Sequence, residues 1–247
     1  MSTPATPAAR HRRRARSTLL LVGAQAWAVL LLVPPAGHSI RHGVGLASPA
    51  AAATAAAGWL LMVVAMMAPL LVGPVRHLQD RSFTHRRSRA VAEFLTGYGA
   101  AWAVAGAALA ALPAAVDAAP AASAVAVPAA LLLAAVWESS PAKQRCLNAT
   151  HTHPALRAHG IAADLDAVRF GITHGAWCAG SCWAVMLLPL LVPAGLTATA
   201  VMAGGTAWLC AQRLDAPTRP RWALRYPGKA IRLLVVRVRW RTGARAA

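Results

Sequence analysis

The run His174-Gly175-Ala176-Trp177-Cys178-Ala179-Gly180-Ser181-Cys182-Trp183-Ala184-Val185-Met186-Leu187-Leu188-Pro189-Leu190-Leu191-Val192-Pro193 decides how the chain is read. No side chain from Gly175 to Pro193 is charged. A helix of that length extends about 28 Å at ~1.5 Å per residue, close to a hydrocarbon core of about 30 Å. Working outward, five more apolar blocks of comparable length occur at 17–35, 55–73, 91–116, 118–137 and 196–212. Only a hinge near Asp117 and Pro120 separates the third from the fourth, which predicts a tight hairpin. The 247 residues are 57% apolar and 13% charged, with a mean hydropathy of +0.49. Soluble domains run at about 45–50% and about 25%. The composition therefore excludes a water-soluble globular enzyme and a disordered tail. The expected fold is all-α, a polytopic membrane helix bundle with six transmembrane helices.

The charge distribution orients that bundle. Arg10, Arg12, Arg13, Arg14 and Arg16 precede the first block, and Arg76, Arg81, Arg86, Arg87 and Arg89 follow the second. Lys143, Arg145, Arg157 and Arg169 follow the fourth, and ten more basic residues occupy the tail from Arg213 onward. The other connections hold only Arg41, so 24 of the 25 positive charges fall on one side. Positive residues stay on the cytoplasmic face, which predicts both termini in the cytoplasm. The domain plan is a basic arm at 1–16, a membrane domain at 17–212 with a cytoplasmic loop at 138–174, and a basic juxtamembrane tail at 213–247. The net charge of +18 is assigned to topology, not to nucleic acid. The Arg run before the first block also resembles a secretory signal. Pro34-Pro35-Ala36-Gly37-His38 offers no small-x-small cleavage site, so an uncleaved first span is expected. The tail, with Arg232, Arg237, Arg239, Trp240 and Arg241 among valines and leucines, is expected to lie along anionic headgroups. The lipid bilayer is thus the first partner, and the Ala/Arg-rich composition fits a bacterial plasma (inner) membrane.

The blocks are poor in ionisable groups: Glu93, Asp117 and Glu138 sit at their ends. Proton-driven pumps place such groups near the midplane. No phosphate loop, no serine–histidine–acid set and no paired carboxylates occur, so hydrolase and nucleotide chemistry have no support.

Sulfur is what the blocks do contain. His174, Cys178, Cys182 and Met186 are each four apart, which stacks them along one helical stripe. Thiolate, thioether and imidazole are the donors that suit Cu(I). Cysteine also packs as a small hydrophobe, and methionine fills cores, so packing is the competing reading. Depth adds a second line. Counted from the cytoplasmic end, Cys178 and Cys182 lie roughly 5 and 10 Å deep, Met66 and Met67 roughly 10 Å, and Met62 roughly 16 Å, level with Met186. Met202 falls at roughly 15 Å and Cys210 at roughly 3 Å. The loop residues Cys146, His151 and His153 face the same side as a potential loading site. His38 and His42 form a weaker candidate pair on the opposite face.

These residues carry a resemblance. Trp59…Met62…Ala65-Met66-Met67…Pro69, then Pro141-Ala142-Lys143…Cys146-Leu147, then Gly171…His174-Gly175…Cys178…Gly180…Cys182-Trp183…Met186, occur in the order seen in a bacterial family of unknown function. That family is described as predicted metal-binding integral membrane proteins, some of them labelled copper chaperones, and the resemblance covers roughly residues 55–215. It implies a soft-metal site and a protein partner in metal delivery. The chain departs from the pattern at several positions. Ser181 stands where the first of two adjacent cysteines is expected, and Thr150 replaces a second loop cysteine. No Met-Asn pair occurs around Thr197 to Thr199, Gln212-Arg213 replaces an acidic-basic pair, and Cys210 is an addition. Fewer thiols imply weaker or altered metal binding.

The expected function is binding of a soft metal ion, Cu(I) first, in copper handling or metalloprotein assembly. Cys178 and Cys182 form the core of the expected site. Met66, Met67, Met186 and Cys210 are further donors, and His174 and Cys146 sit at the mouth. One alternative is a structural membrane partner whose metal site has decayed. The enzyme-class alternative is a thiol oxidoreductase using Cys178 and Cys182, whose Cβ vectors on a straight helix are poorly directed for a disulfide. If a metal binds, the spans at 55–73, 175–193 and 196–212 must be neighbours, with Cys182 away from lipid.

Overall fold

The computed structural model describes residues 7–32, 49–117, 120–192 and 195–243, and those residues contain helices and no strand. In chain order they are α1 (Pro7–Leu32), α2 (Pro49–Met67), α3 (Val72–Arg81), α4 (Arg87–Asp117), α5 (Pro120–Ser139), α6 (Pro141–Ala149), α7 (Gly160–Leu191), α8 (Leu196–Gln212) and α9 (Gly228–Gly243). Pro69 sits in a 3-10 turn, Ala68–Leu71, that joins α2 to α3. A proline removes one backbone donor, so a local change of helix type is expected there.

Among the described residues, four segments are long and apolar enough to cross a membrane: Ala15–Leu32, Ala52–Arg81, Thr84–Ala111 and Gly160–Leu191. A fifth arises if α5 and α6, bent by 65° at their junction, form one broken span. The block expected at 196–212 is helical over those bounds, but its 17 residues extend only about 26 Å. The hinge expected at 117–120 is bracketed by the end of α4 and the start of α5, with 118 and 119 outside the described residues.

The region expected as a loop, 138–174, is largely helical. Ser140 caps α6 by accepting a 3.1 Å hydrogen bond from the Lys143 backbone N–H, and Pro141 occupies the first turn, where its missing donor costs nothing. The helix α7 starts at Gly160, well before the uncharged block. Its first half buries Ala163, Ala167, Phe170, Gly171 and His174 on one face. Its carboxylates pair outward instead, Asp164 with Arg86 and Arg89, and Asp166 with Arg157.

The axis of the bundle is the contact between α4 and α7. A Cβ added at Gly171 would lie 2.1 Å from the Phe94 carbonyl oxygen, and one at Gly97 would lie 2.3 Å from the Val168 carbonyl oxygen. Only hydrogen fits at either position, so the two backbones touch, as small residues permit. Trp59 on α2 donates 2.8 Å to the Trp102 carbonyl on α4, and Trp27 on α1 donates 3.0 Å to Ala65 on α2. The helix α8 meets both neighbours at Gly205, where a Cβ would lie 3.0 Å from Val185 Cγ1 and 3.5 Å from Met66 Cε. The segments 55–73, 175–193 and 196–212 therefore meet around one point.

Lys143, a loop charge by sequence, is fully buried. Its ammonium donates to the Glu138 carboxylate and, at 2.8 Å, to Gln212 Oε1. Glu138 Oε2 also accepts from Gln212 Nε2 at 2.7 Å and Trp208 Nε1 at 2.9 Å. This cluster joins α5, α6 and α8 and offsets the cost of burying both charges.

Candidate metal centre

The stripe on α7 faces inward. His174, Cys178, Cys182 and Met186 are buried, and so are Met62, Met66 and Met67 on α2 and Met202 on α8. Cys182 thus lies inside the bundle, away from any lipid-facing surface. Helix geometry explains the stripe, because residues four apart advance by only about 40° around the axis.

Cys178 is the meeting point of four elements. Its sulfur lies 3.8 Å from Met67 Sδ at the end of α2. It also accepts hydrogen bonds from Tyr98 Oη on α4 and Arg213 Nη2 at the end of α8, each 3.3 Å long. One turn further on, the Cys182 thiol donates to the Cys178 carbonyl at 2.9 Å, and the Ser181 hydroxyl uses the same oxygen at 2.8 Å. The His174 ring is enclosed by Phe94, Tyr98 and Phe170, with centroids 6.1, 6.2 and 5.7 Å away. Its buried Nε2 has no hydrogen-bond partner in the protein.

The sulfur spacing suits one soft ion. Two sulfurs each about 2.3 Å from a shared metal stand ~3.8 Å apart at a tetrahedral angle and ~4.6 Å apart when opposed. The Cys178–Met67 separation falls in that interval. Opposing it is the Arg213 guanidinium, which brings a positive charge to the same sulfur. A cation must displace it.

Cys146 is not brought to this point. A Cβ at Gly180 would lie 2.9 Å from Cys146 Sγ, so the cysteine packs on Gly180. Gly180 is about 200° around α7 from both Cys178 and Cys182. Cys210, His151 and His153 instead line one cavity of about 310 Å³, together with Arg213 and the Pro69–Pro74 turn. His153 also lines a cavity of about 200 Å³ that includes His174 and Trp177. The His77 ring on α3 lies tilted against that of His153, with centroids 4.8 Å apart. Burial, and then the charge of Arg213, pulls His151 below the ordinary imidazole value, while burial and then His77 do the same to His153. Neutral rings keep a lone pair free for a metal. Among the described residues no three His, Cys, Asp or Glu side chains converge on one point. His38 and His42 lie outside the described residues.

Sequence reasoning missed Tyr98 and Arg213 as contacts of Cys178. They lie 80 and 35 positions away, and only the fold brings them together. The available signal was chemical: Tyr98 is a phenol inside the apolar block 91–116, and Arg213 is the first charge after the block 196–212.

No curated protein and no solved structure matches the chain. The sequence pattern of the PpoB2 family, described as copper chaperone, matches residues 56–237, a stretch that holds every contact of Cys178 described above. The chain therefore belongs to the PpoB2 copper-chaperone family.

Proposed function

We propose that this protein holds Cu(I) as cargo where α2, α7 and α8 meet, within the bacterial plasma membrane, in copper handling or metalloprotein assembly. The observation that carries the reading is the 3.8 Å contact between Cys178 and Met67 sulfurs, two soft donors brought together from 111 positions apart. Cys178 is the thiolate donor, Met67 the thioether, and Cys182 the second thiolate one turn deeper. Met66 and Met186 line the same buried layer, and His174 stands at its cytoplasmic margin. Copper enters through the cavity of His151, His153 and Cys210, and Arg213 withdraws as the ion takes its place beside Cys178. The ion replaces the thiol proton, so affinity falls with pH. The six-span, both-ends-in arrangement is supported by the 24 basic residues on one side, while the four apolar segments support membrane insertion as such. Cys146, on the opposite side of α7, serves packing against Gly180 in this scheme.

Equilibrium dialysis of detergent-purified protein against Cu(I) tests the reading. The double variant Cys178→Ser, Cys182→Ser is expected to lose the bound ion, and an unchanged stoichiometry overturns the site. A second reading, a structural membrane partner with a decayed site, is favoured by one observation: Tyr98 and Arg213 already satisfy Cys178 without a metal. A stable protein complex recovered intact from copper-depleted cells, with no copper bound on repletion, supports that reading instead.

A further inference from the structure

A further cavity lies apart from the sulfur site. It has a volume of about 660 Å³ and sits between α6, the end of α8 and the segment that follows α8. Its inner wall includes Gln144, Leu147 and Gln212, and its outer wall carries Arg219, Arg221 and Arg225. Arg225 is held in place by neutral acceptors: Nη1 donates to the Glu138 and Ser140 carbonyls at 2.8 and 3.0 Å, and Nη2 to the Arg221 carbonyl at 2.6 Å. The nearby Glu138 carboxylate is already engaged by Lys143, Gln212 and Trp208. Asp215 is the one acidic residue in the lining, and it accepts from the Lys229 backbone N–H at 2.9 Å. Three guanidinium groups against one carboxylate leave the cavity positive. Burial and the Arg221 charge both pull Arg225 below its ordinary value, against the attraction of Glu138. The backbone of this segment is pinned to α6, because Asn148 and Thr218 exchange hydrogen bonds of 2.7 and 3.3 Å.

The rim is apolar. Leu224 and Tyr226 line the cavity yet are 90% and 74% exposed, and Trp222 between the arginines is 65% exposed. A water-facing ligand gains nothing from such a rim, whereas an amphiphile gains from both parts. Arginine forks match phosphate oxygens in pairs, and aromatic residues favour the level of the headgroups.

We propose that this cavity binds the phosphate headgroup of an anionic phospholipid, with Arg219 and Arg221 as its ligands, Arg225 as the fixed positive wall, and the acyl chains passing over Trp222 and Leu224. This rests on the membrane placement proposed above. The tail is thereby fastened to a particular lipid class and not merely attracted to a charged surface.

The test uses the full chain in a neutral detergent, titrated with short-chain phosphatidylglycerol, short-chain phosphatidylcholine or inorganic phosphate, and read by native mass spectrometry and thermal shift. Phosphatidylglycerol is expected to bind about tenfold or more tighter than phosphatidylcholine, as two basic groups beside an anionic headgroup imply. The preference is expected to vanish in Arg219→Gln, Arg221→Gln and to survive in Arg232→Gln, Arg237→Gln, which removes two charges of α9 only. Equal binding of the two lipids, or a preference retained by the Arg219/Arg221 variant, overturns the proposal. Inorganic phosphate saturating the cavity as well as the lipid does overturns the lipid assignment. Carbonate extraction of native membranes reports separately on membrane placement, and Cu(I) dialysis of the same variant reports separately on the metal site.

Discussion

At the scale of single residues, Met67 separates metal binding from packing. Leucine has nearly the volume of methionine and is tolerated in most cores at under about 1.5 kcal/mol. Met67→Leu is therefore expected to leave the melting temperature within a few degrees of wild type. It removes one of the two sulfurs in contact, and Cu(I) affinity, measured by competition with a chromophoric chelator, is expected to drop about tenfold or more, equivalent to ~1.4 kcal/mol. An unchanged affinity places the methionine among ordinary core residues. The histidines make a different prediction. His151 and His153 are pulled below 6.5 in the folded chain, so the unfolded chain takes up more protons as pH falls through that value. Their effect is absent above about pH 7 and destabilises the fold progressively below 6.5. Melting temperatures recorded from pH 7.5 to 5 are expected to fall, and to fall less in His151→Gln, His153→Gln.

At the scale of elements, the α4–α7 contact is the most demanding. Gly171→Ala and Gly97→Ala each push a methyl group against backbone oxygen, which no rotamer change relieves. Each is expected to cost about 1–3 kcal/mol or more. Gly99→Ala, on the same helix with nothing within 4 Å of the added Cβ, is expected to be neutral or slightly stabilising by thermal denaturation. How far such elements were legible depended on their chemistry. The block at 196–212 matches the bounds of α8, because Gly195 and the polar Gln212-Arg213 end frame an apolar run in the sequence. The first half of α7 reads as loop in the sequence because Asp164, Asp166 and Arg169 hide its helical period. The Ser140-Pro141 cap of α6 was present in the sequence, but nine residues without an apolar face give no periodic signal. At the site, residue counting sets Met67 level with Cys182, roughly 10 Å deep, whereas the fold brings it against Cys178, one turn nearer the cytoplasmic end. The position of Cys146 was not readable, since the face of α7 that α6 covers is set by the 65° bend after α5.

At the scale of the whole molecule, one buried ion pair ties the last third of the chain to the middle. Lys143 and Glu138 bring α6, α5 and, through Gln212, α8 to a single polar knot. Lys143→Met strands the carboxylate without its cation, a loss of about 3–5 kcal/mol by analogy with broken buried pairs. The double change Lys143→Met, Glu138→Gln removes both charges and is expected to recover much of that loss in a denaturation series. Equal instability of the single and double variants means that packing, not charge, dominates there. The glycine-lined contact between α4 and α7 has a mechanical meaning as well. Two backbones in direct touch at Gly97 and Gly171, flanked by the packed rings of Phe94, Tyr98, Phe170 and His174, form a stiff strut. The helix α8 rests on α2 and α7 through the bare surface of Gly205, and its last turn is tied to α5 and α6 through Gln212. Cys178 and Tyr98 thus sit on the strut, while Arg213 reaches the same sulfur from the tied end of α8. In the proposed copper reading, an ion that reaches Cys178 displaces the Arg213 side chain alone, and neither helix of the strut has to move.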